Sequence, residues 1–489
     1  MHTPQFTRRQ FLKGVCASAA ATAVGPRLIF GNDARAAASD GDVVVMLFLR
    51  GAMDGLNFVV PLGSSDRAYY ESVRPNLNIA ASGTYGALPL TYSDGSGSSF
   101  GLHPSATGLR DLWNAGRVAI VHAAGLATSA SRSHFDAQMA IEQGVARGLN
   151  TGWMARAIAT QGNIAGSSMA ALACMPREPV SLNGTTRAIT MDSPTDFQLN
   201  LGNWAWMKTR SDSPAGLVGM QETLNQMWSG QTALESNGAL AEQALRVVAA
   251  QPYGALPSTW PSTQIGNELW TVAQSIKFGV GLRYAAVDLG GWDTHDAQGT
   301  AGSGYHYYQN KIAELSQALS AFQAELEANG NAGRVTTIVM SEFGRRMRQN
   351  AAGGTDHGYG NPMLVMGGAV NGRRFYGQWP GLTDTVIAAA NGDLPVTTDY
   401  RRVVSEILIR RMGNNNLSTV FPGYSGYTPL GIMQGADMTA AMAPMKASSS
   451  ASAVDASTQP MQSEQDIAIE QSLRARGGSV RDQVLRRMF

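Results

Sequence analysis

The sequence predicts an α/β fold in which helices cover both faces of a doubly wound, mostly parallel sheet. Seven largely apolar residues, VVVMLFL at 43–49, are typical of a strand buried on both faces. Similar short apolar runs recur along the chain, and segments with helical spacing of apolar residues lie between them. Strands that alternate with helices favour a parallel sheet with both faces covered.

The predicted elements follow one another in a regular order. After the first strand comes a helix in which Leu109, Leu112 and Trp113 have helical spacing and Gly116 marks the end. The segments that continue the alternation are a strand at 118–122, a helix at 133–144, a strand at 284–291, a helix at 312–330, a strand at 335–340 and an apolar run at 362–368.

Three regions stand apart from this alternation. Residues 176–270 mix Gly, Pro, Trp and Asn around a predicted helix pair at about 214–250, and we expect them to form a cap or an inserted subdomain. Residues 436–489 are rich in Met, Ala, Ser and Gln, which predicts a low-complexity, disordered tail. The main domain is therefore expected to span residues 37–435.

Residues 1–36 indicate an export signal. Arg8 and Arg9 precede Phe11 and Leu12, a mildly apolar run follows, and ARAAA near Ala36 offers small residues for cleavage. The stretch resembles a twin-arginine signal, which implies export by the twin-arginine machinery to the periplasm or the extracellular space. An ordinary amphipathic N-terminal helix is the alternative interpretation.

Bulk composition excludes several classes of protein. The chain has 489 residues, 44% of them hydrophobic and 15% charged, and its formal net charge of +1 argues against a nucleic-acid or membrane-surface partner. With Cys16 in the leader, Cys174 is the second of two cysteines, which excludes a disulfide framework and a thiolate zinc site. No segment after the leader has the length of uninterrupted apolar sequence that a membrane span needs.

Polar side chains follow several of the predicted strands. Ligands bind beyond the carboxyl ends of the strands in open α/β sheets, so these side chains are candidates for one common site. The residues at the strand ends are Arg50, Asp54, His122, Asp293, His295 and Glu342.

The stretch SEFGRRMRQNAAGGTDH, residues 341–357, concentrates charge in a chain that is otherwise poor in it. Imidazole and carboxylate groups together suit zinc, magnesium, manganese or calcium, and Asp293 with His295 forms a set that matches Asp356 with His357. The glycines at 353, 354, 358 and 360 would let the backbone turn sharply enough for both members of the second set to reach one ion. A flexible tip whose Asp and His only face water is the alternative.

The stretch TSASRSHF, residues 128–135, places hydroxyls and Arg132 before a predicted helix. A helix N-terminus favours anions, and a hydroxyl there could attack a phosphorus or sulfur centre if a metal lowered its pKa. Helix capping by Ser131 or Ser133 explains the same residues without any chemistry.

A series of motifs resembles the DUF1501 family of exported bacterial proteins over residues 42–425. The motifs are, in order, LRGAMDGLN, FGLHP, SRSHFDAQ, GWMAR, GGWDTH, SEFGR, GTDHGYGNPMLVMGG, TTDYR and VFPG. That family is grouped with the alkaline phosphatase and sulfatase superfamily. The resemblance implies a doubly wound α/β fold and a metal-dependent hydrolase of a phosphate or sulfate ester.

The resemblance also implies roles for individual residues. Asp54 resembles the superfamily's metal-binding Asp after the first strand, and Thr128 or Ser133 falls where the nucleophile belongs, although the sulfatase Cys and Pro are missing. The predicted catalytic residues are Ser133, Thr128, Arg132 and His134; the predicted substrate-binding residues are Arg50, Arg345 and His103; the predicted metal ligands are Asp54, Asp293, His295, Glu342, Asp356 and His357.

Two functions follow from the sequence. The first is an exported hydrolase with a divalent metal, zinc foremost and calcium, magnesium or manganese as alternatives, acting on a small anionic ester or a cell-surface polymer. The second is a non-catalytic relative that keeps the fold and binds a partner or a cell-surface polymer. The missing sulfatase Cys and the Glu342-Phe343 pair, found where the superfamily has Asp-His, support the second function.

Overall fold

The computed structural model describes residues 41–127, 131–146, 148–162, 164, 167, 169–194, 197, 228 and 232–441. The predictions for the leader, for Thr128 and for most of the tail lie outside the described residues. Among the described residues, no helix combines the length and the apolar character that crossing a membrane requires.

The strands of the described residues are, in chain order, β1 (Val43–Leu49), β2 (Val59–Pro61), β3 (Leu88–Thr91), β4 (Gly97–Leu102), β5 (Val118–Gly125), β6 (Ala171–Cys174), β7 (Ala188–Thr190), β8 (Tyr284–Leu289), β9 (Val335–Ser341), β10 (Asn361–Gly367), β11 (Arg374–Tyr376) and β12 (Thr398–Asp399). The helices are α1 (Gly55–Phe58), α2 (Ser64–Val73), α3 (Thr107–Asn114), α4 (His134–Gln143), α5 (Trp153–Thr160), α6 (Ala233–Ala249), α7 (Gln264–Lys277), α8 (Tyr307–Ala328), α9 (Asp384–Ala389), α10 (Tyr400–Arg410) and α11 (Leu417–Val420).

The main sheet has the strand order β11-β5-β10-β9-β1-β8-β6-β7, and β12 also pairs with β5. β1 lies at its centre and is parallel to both β8 and β9. β10 is antiparallel to both of its neighbours, β9 and β5, so β5 runs in the same direction as β9 and β1. The predicted α/β class with a mostly parallel sheet is confirmed.

Both faces of this sheet are buried, as the apolar sequence of β1 requires. Val43, Val45 and Leu47 point into one core together with residues of α3, α7 and α8. Val44 and Met46 point into a second core with residues of α4, α5 and α10. The alternation of side chains along a strand therefore divides the helices between two faces.

The described parts of the 176–270 region contribute to the main sheet and its core. β7 pairs in parallel with β6, and the first part of α7 packs Ile265 and Leu269 into the same core as β1. The predicted cap or insertion within this region stays a prediction, because most of residues 195–231 lie outside the described residues.

One strand-end prediction is wrong. β5 continues to Gly125, so His122 lies inside the strand and not at its end. Its ring is buried and stacks on Phe375 at 4.8 Å between centroids, and burial lowers the pKa of His122 to about 4. His122 is an apolar packing residue in this fold.

Candidate metal centre

Four chain segments meet at the carboxyl edge of the main sheet. The loops after β1, β8 and β9 leave the sheet there because these strands are parallel, and the loop after β9 returns into antiparallel β10 at the same edge. The segment before α4 joins them through contacts of Arg132 and His134. The three loops and this segment carry the polar side chains described next.

Two histidines from different segments have their Nδ1 atoms held by oxygen acceptors. Nδ1 of His134 lies 2.6 Å from Oε1 of Glu342, and Nδ1 of His357 lies 2.8 Å from the backbone oxygen of Arg132. A carboxylate or carbonyl oxygen accepts only, so Nδ1 must donate in both cases. Nε2 of each ring is then left with a lone pair unless a second proton is added.

A third histidine is held in the same way. Nδ1 of His295 lies 3.0 Å from Oδ1 of Asp356, and Asn350 donates to the same carboxylate oxygen at 3.1 Å. Asn350 also donates to the backbone oxygen of His295 at 2.8 Å, which ties the two loops together. Nδ1 of His295 is therefore a donor as well.

The three Nε2 atoms converge on one carboxylate oxygen, Oδ1 of Asp293. The distances from that oxygen are 3.1 Å to His357, 3.1 Å to His295 and 3.4 Å to His134. Nε2 of His295 is also 2.9 Å from Nε2 of His357. Three imidazoles whose outer nitrogens are oriented by acceptors and whose inner nitrogens share one point are the arrangement found around protein-bound metals.

The distances fit a cation of zinc size. The ligand atoms of His134, Asp293 and His357 all lie within 4.8 Å of one another. Ligands at about 2.0–2.1 Å from a tetrahedral zinc are separated by about 3.3 Å, close to the contacts around Asp293. His295 lies beside this group, with its Nε2 3.1 Å from Oδ1 of Asp293 and 2.9 Å from Nε2 of His357. A donor set of imidazoles and one carboxylate suits zinc better than calcium or magnesium, which prefer oxygen.

The electrostatics of the cluster also favour a cation. Burial opposes ionisation of Asp293, but hydrogen bonds from His134, His357 and Arg345 outweigh it and hold the pKa of that carboxyl well below its usual range. Hydrogen bonds with Asp293 and Glu342 raise the pKa of His134 to about 9. A metal ion would take the place of the proton that this ring otherwise binds.

Glu342 supports a ligand instead of sharing the convergence point. Its Oε1 accepts from Nδ1 of His134, from the backbone N–H of Gly51 at 2.8 Å and from Nε2 of Gln138 at 2.9 Å, while Ser341 donates to Oε2 at 3.0 Å. Burial raises the pKa of Glu342, but the hydrogen bonds from His134 and Gln138 lower it more, so the group is ionised. Glu342, predicted as a metal ligand, contacts the outer nitrogen of His134, which is itself a candidate ligand.

Arg345, predicted to bind substrate, is buried and joins three loops. Its guanidinium donates to backbone oxygens of Ala52, Thr355, Gly51 and Trp292, and to Oδ1 of Asp293 at 2.7 Å. With its donors directed inward, Arg345 positions Asp293 and the backbone around it and is not available to a substrate.

Gln298 forms a second cross-link beneath the cluster. Its fully buried amide oxygen accepts from the hydroxyls of Thr294 at 2.8 Å and Thr355 at 3.1 Å, and its amide nitrogen donates to Oδ2 of Asp54 at 2.7 Å. Thr294 lies between Asp293 and His295, and Thr355 precedes Asp356. One amide therefore links the two loops that carry the candidate ligands.

The glycines of these loops allow close packing more than free turning. Gly51 has φ +113°, and a Cβ there would lie 2.6 Å from the backbone nitrogen of Asp293. A Cβ on Gly354 would lie 2.3 Å from the carbonyl carbon of His295. Side chains at these positions would force the loops apart. Gly353, at φ +74°, is a left-handed turn position as predicted.

Three other predicted residues lie away from the convergence point. Asp54 is buried and its Oδ2 accepts from Arg74 at 2.6 Å and from Gln298. Arg50 forms ion pairs with Glu142 and with Asp288. The positions of Asp54 and Arg50 place them in buried or half-buried ion pairs that hold the sheet edge.

His103 is the third of these. It is fully buried, its Nδ1 accepts from the backbone N–H of Ser105 at 3.1 Å, and its ring meets Tyr308 edge to face. Burial lowers the pKa of His103 to about 4, so the ring is neutral and packs as part of the core.

The region predicted to carry the nucleophile is described from Ser131 onward. Ser133 is the N-cap of α4, and its hydroxyl accepts from the backbone N–H of Asp136 at 3.4 Å. His134 follows it directly, so the Ser133 backbone lies beside the cluster of His and Asp side chains. Thr128 lies outside the described residues.

His134, predicted from the sequence as a catalytic residue, lies among the candidate metal ligands, and the sequence predicted no role for Gln138 or Gln298. The motif SRSHFD was the available signal for His134, because it is another His beside a carboxylate. Glutamines that bridge loops leave no recognisable pattern in a single sequence.

Comparison with known proteins gives one family match. The model of a family described as a protein of unknown function, DUF1501, matches residues 270–415. This stretch, less than half of the chain, contains Asp293, His295, Glu342 and His357 but not His134. The family resemblance is confirmed over these residues. No curated protein matches the chain in sequence.

Several solved structures show distant likeness. A sulfatase from Pseudoalteromonas sp. has 9% identity and a TM-score of 0.27, covering 68% of this chain and 64% of its own. The alkaline phosphatase of the Antarctic bacterium TAB5 has 11% identity and a TM-score of 0.27, covering 67% and 92%. The phosphonate monoester hydrolase of Silicibacter pomeroyi has 9% identity and a TM-score of 0.23, covering 68% and 70%. Likeness at these TM-scores carries no argument about activity.

Proposed function

We propose that the protein is an exported, metal-dependent hydrolase of a phosphate or sulfate ester. The observation that carries this proposal is the convergence of three Nε2 atoms, from His134, His295 and His357, on Oδ1 of Asp293. Each of these rings donates its Nδ1–H to an oxygen acceptor. Such second contacts orient the metal ligands of metalloenzymes and fix their tautomer.

Accessibility of the cluster supports catalysis over a purely structural metal. The side chains of Asp293 and His295 are 47% and 41% exposed, whereas a closed structural site is surrounded by protein. A divalent cation held there supplies Lewis acidity and neutralises charge on the equatorial oxygens of a transferring phosphoryl or sulfuryl group. Zinc suits the donor set best.

Residues of this chain would bind the cation, orient its ligands and supply or admit the incoming oxygen. His134, His357 and Asp293 would hold the cation, His295 would stand beside them, and Glu342 would orient His134 through its Nδ1. In hydrolysis a bond forms between an incoming oxygen and phosphorus or sulfur, the ester bond breaks, and the leaving alcohol takes a proton. The incoming oxygen is either that of water, which gives up the proton that the leaving group takes, or the hydroxyl of Ser133 or Thr128, which gives up its proton in the same way; in the second case water then hydrolyses the enzyme ester in a further step.

A substrate screen tests this function. Zinc-loaded protein is assayed with p-nitrophenyl phosphate, bis-p-nitrophenyl phosphate and p-nitrophenyl sulfate, next to H357A as the variant without a complete site. Turnover by the wild type that H357A and a chelator both abolish is the expected result. Stoichiometric zinc without turnover of any ester would favour the non-catalytic binding protein.

The nucleophile and the export route are tested separately. S133A and T128V, each loaded with zinc, identify the nucleophile, because only the variant that lacks it should lose turnover while keeping the metal. Export is tested by replacing Arg8 and Arg9 with Lys, which should retain the precursor in the cytoplasm. Periplasmic recovery of that variant at the wild-type level would contradict the twin-arginine route.

A further inference from the structure

We propose that Arg132 and Arg346 form an oxyanion subsite beside the metal cluster, with Asp393 as their common anchor. The ligand class is a tetrahedral oxyanion, phosphate or sulfate. This inference rests on the proposed function, since it assigns the residues that recognise the anionic part of the ester. Four observations carry it.

The first observation is the arrangement of Arg132. Its Nη2 forms an ion pair with Oδ2 of Asp393, whose carboxylate is fully buried. Its guanidinium carbon lies 4.6 Å from the ring centroid of Tyr359, so the planar group rests on an aromatic face. The side chain is nevertheless 31% exposed. The guanidinium is thus held in one orientation while part of it faces solvent.

The second observation is that a second arginine uses the same anchor. Nε of Arg346 lies 3.7 Å from Oδ1 of Asp393, and the Arg346 side chain is 41% exposed. Two guanidinium groups share one carboxylate, so this group of residues keeps a net charge of +1. Tight pairing with equal charges would leave no surplus to attract an anion.

The third observation is the position of the pair relative to the cluster. The backbone oxygen of Arg132 accepts from Nδ1 of His357, and the backbone N–H of Arg346 donates to the oxygen of Asp356 at 2.8 Å. Both arginines are therefore attached to the Asp356-His357 dipeptide. Each guanidinium group therefore lies no farther from Asp356 or His357 than an arginine side chain can reach.

The fourth observation is the charge of the neighbouring cluster. Its carboxylates are on Asp293, Glu342 and Asp356, and Arg345 pairs with the first of them. A divalent cation bound there would balance the other two. Among these described residues, the surplus positive charge would then lie on Arg132 and Arg346. Guanidinium groups bind tetrahedral oxyanions through two parallel N–H donors, a geometry that a lysine ammonium lacks.

Phosphate binding to zinc-loaded protein tests the subsite. Titration calorimetry with inorganic phosphate, and separately with inorganic sulfate, compares the wild type with R132A, R346A and R132K. The side chain of Arg132 is removed in R132A but the backbone oxygen that orients His357 remains, so the zinc content should stay at the wild-type level. We expect R132A to bind phosphate at least about tenfold more weakly and R346A several-fold more weakly.

Two controls separate charge and geometry from general effects. R117A removes an exposed arginine that pairs with Glu327 and precedes β5 at the opposite edge of the sheet, and it should bind phosphate like the wild type. R132K keeps the charge but loses the two parallel N–H donors of the guanidinium, and its affinity for phosphate should fall between those of the wild type and R132A. Equal weakening in R117A would contradict the assignment.

The outcomes distinguish this inference from the proposed function. Wild type that takes up no zinc contradicts the proposed function. Zinc-loaded R132A and R346A that bind phosphate and sulfate like the wild type contradict the subsite alone, as does zinc-loaded wild type that binds neither anion. If R132A fails to fold, R346A and R132K decide the question by the same comparison.

Discussion

Replacement of Glu342 by glutamine is the sharpest test of how the cluster is supported. Oε1 of Glu342 accepts from Nδ1 of His134 at 2.6 Å and from two further donors. Glutamine keeps the shape but loses the charge that strengthens the contact with the imidazole. Loss of such an outer contact typically weakens metal binding 10–100-fold, which is about 1.4–2.7 kcal/mol.

The assay is competition for zinc between the protein and a chromogenic chelator at neutral pH. E327Q, which changes an exposed carboxylate paired with Arg117, is the matched control and should bind zinc like the wild type. A folded E342Q with affinity within about twofold of the wild type would refute the supporting role. Loss of zinc as complete as in H357A would instead make Glu342 a direct ligand.

Four further changes test other parts of the structure. H357A should bind no stoichiometric zinc, and elemental analysis that finds the wild-type content would contradict the ligand assignment. D54N should keep its zinc but lose roughly 3–5 kcal/mol of stability in denaturant unfolding, because it breaks the buried ion pair with Arg74. Loss of zinc from folded D54N would instead indicate that Asp54 is a ligand. Q298L should weaken zinc binding without abolishing it, since the amide holds both ligand loops, and unchanged affinity would refute that role. Burial raises the pKa of Glu268 from 4.5 to about 8, so the folded state favours its neutral form. Wild-type thermal stability should therefore fall as pH rises through that range, while the stability of E268Q should depend less on pH. The same pH dependence of stability in both proteins would contradict the assignment of Glu268 as a buried neutral acid.

The sheet was predictable from the sequence because its signals are local. The buried runs at β1, β8 and β9 are continuous apolar stretches, and each is followed within a few residues by polar side chains. The rule that parallel strands end at one edge then brings the loops with Asp293 and His357 together before any coordinates are known. These predictions needed only periodicity and strand direction.

The role of each residue within the site was not predictable in the same way. Asp54 and Asp293 both follow parallel strands, yet Asp54 turns toward Arg74 while Asp293 meets the imidazoles. Which way a loop side chain points depends on the path of the whole loop and on residues far away in sequence. Gln298 illustrates this, since its three side-chain partners come from three different segments.

The central claim is tested most directly by elemental analysis of protein purified from the periplasm without added metal or chelator. Binding of one divalent ion per chain, zinc foremost, in the wild type and its absence from H357A is the predicted result. Wild-type protein that contains no metal and takes up none from solution would contradict the account. His134, His295, His357 and Asp293 would then be a hydrogen-bonded cluster without a metal function.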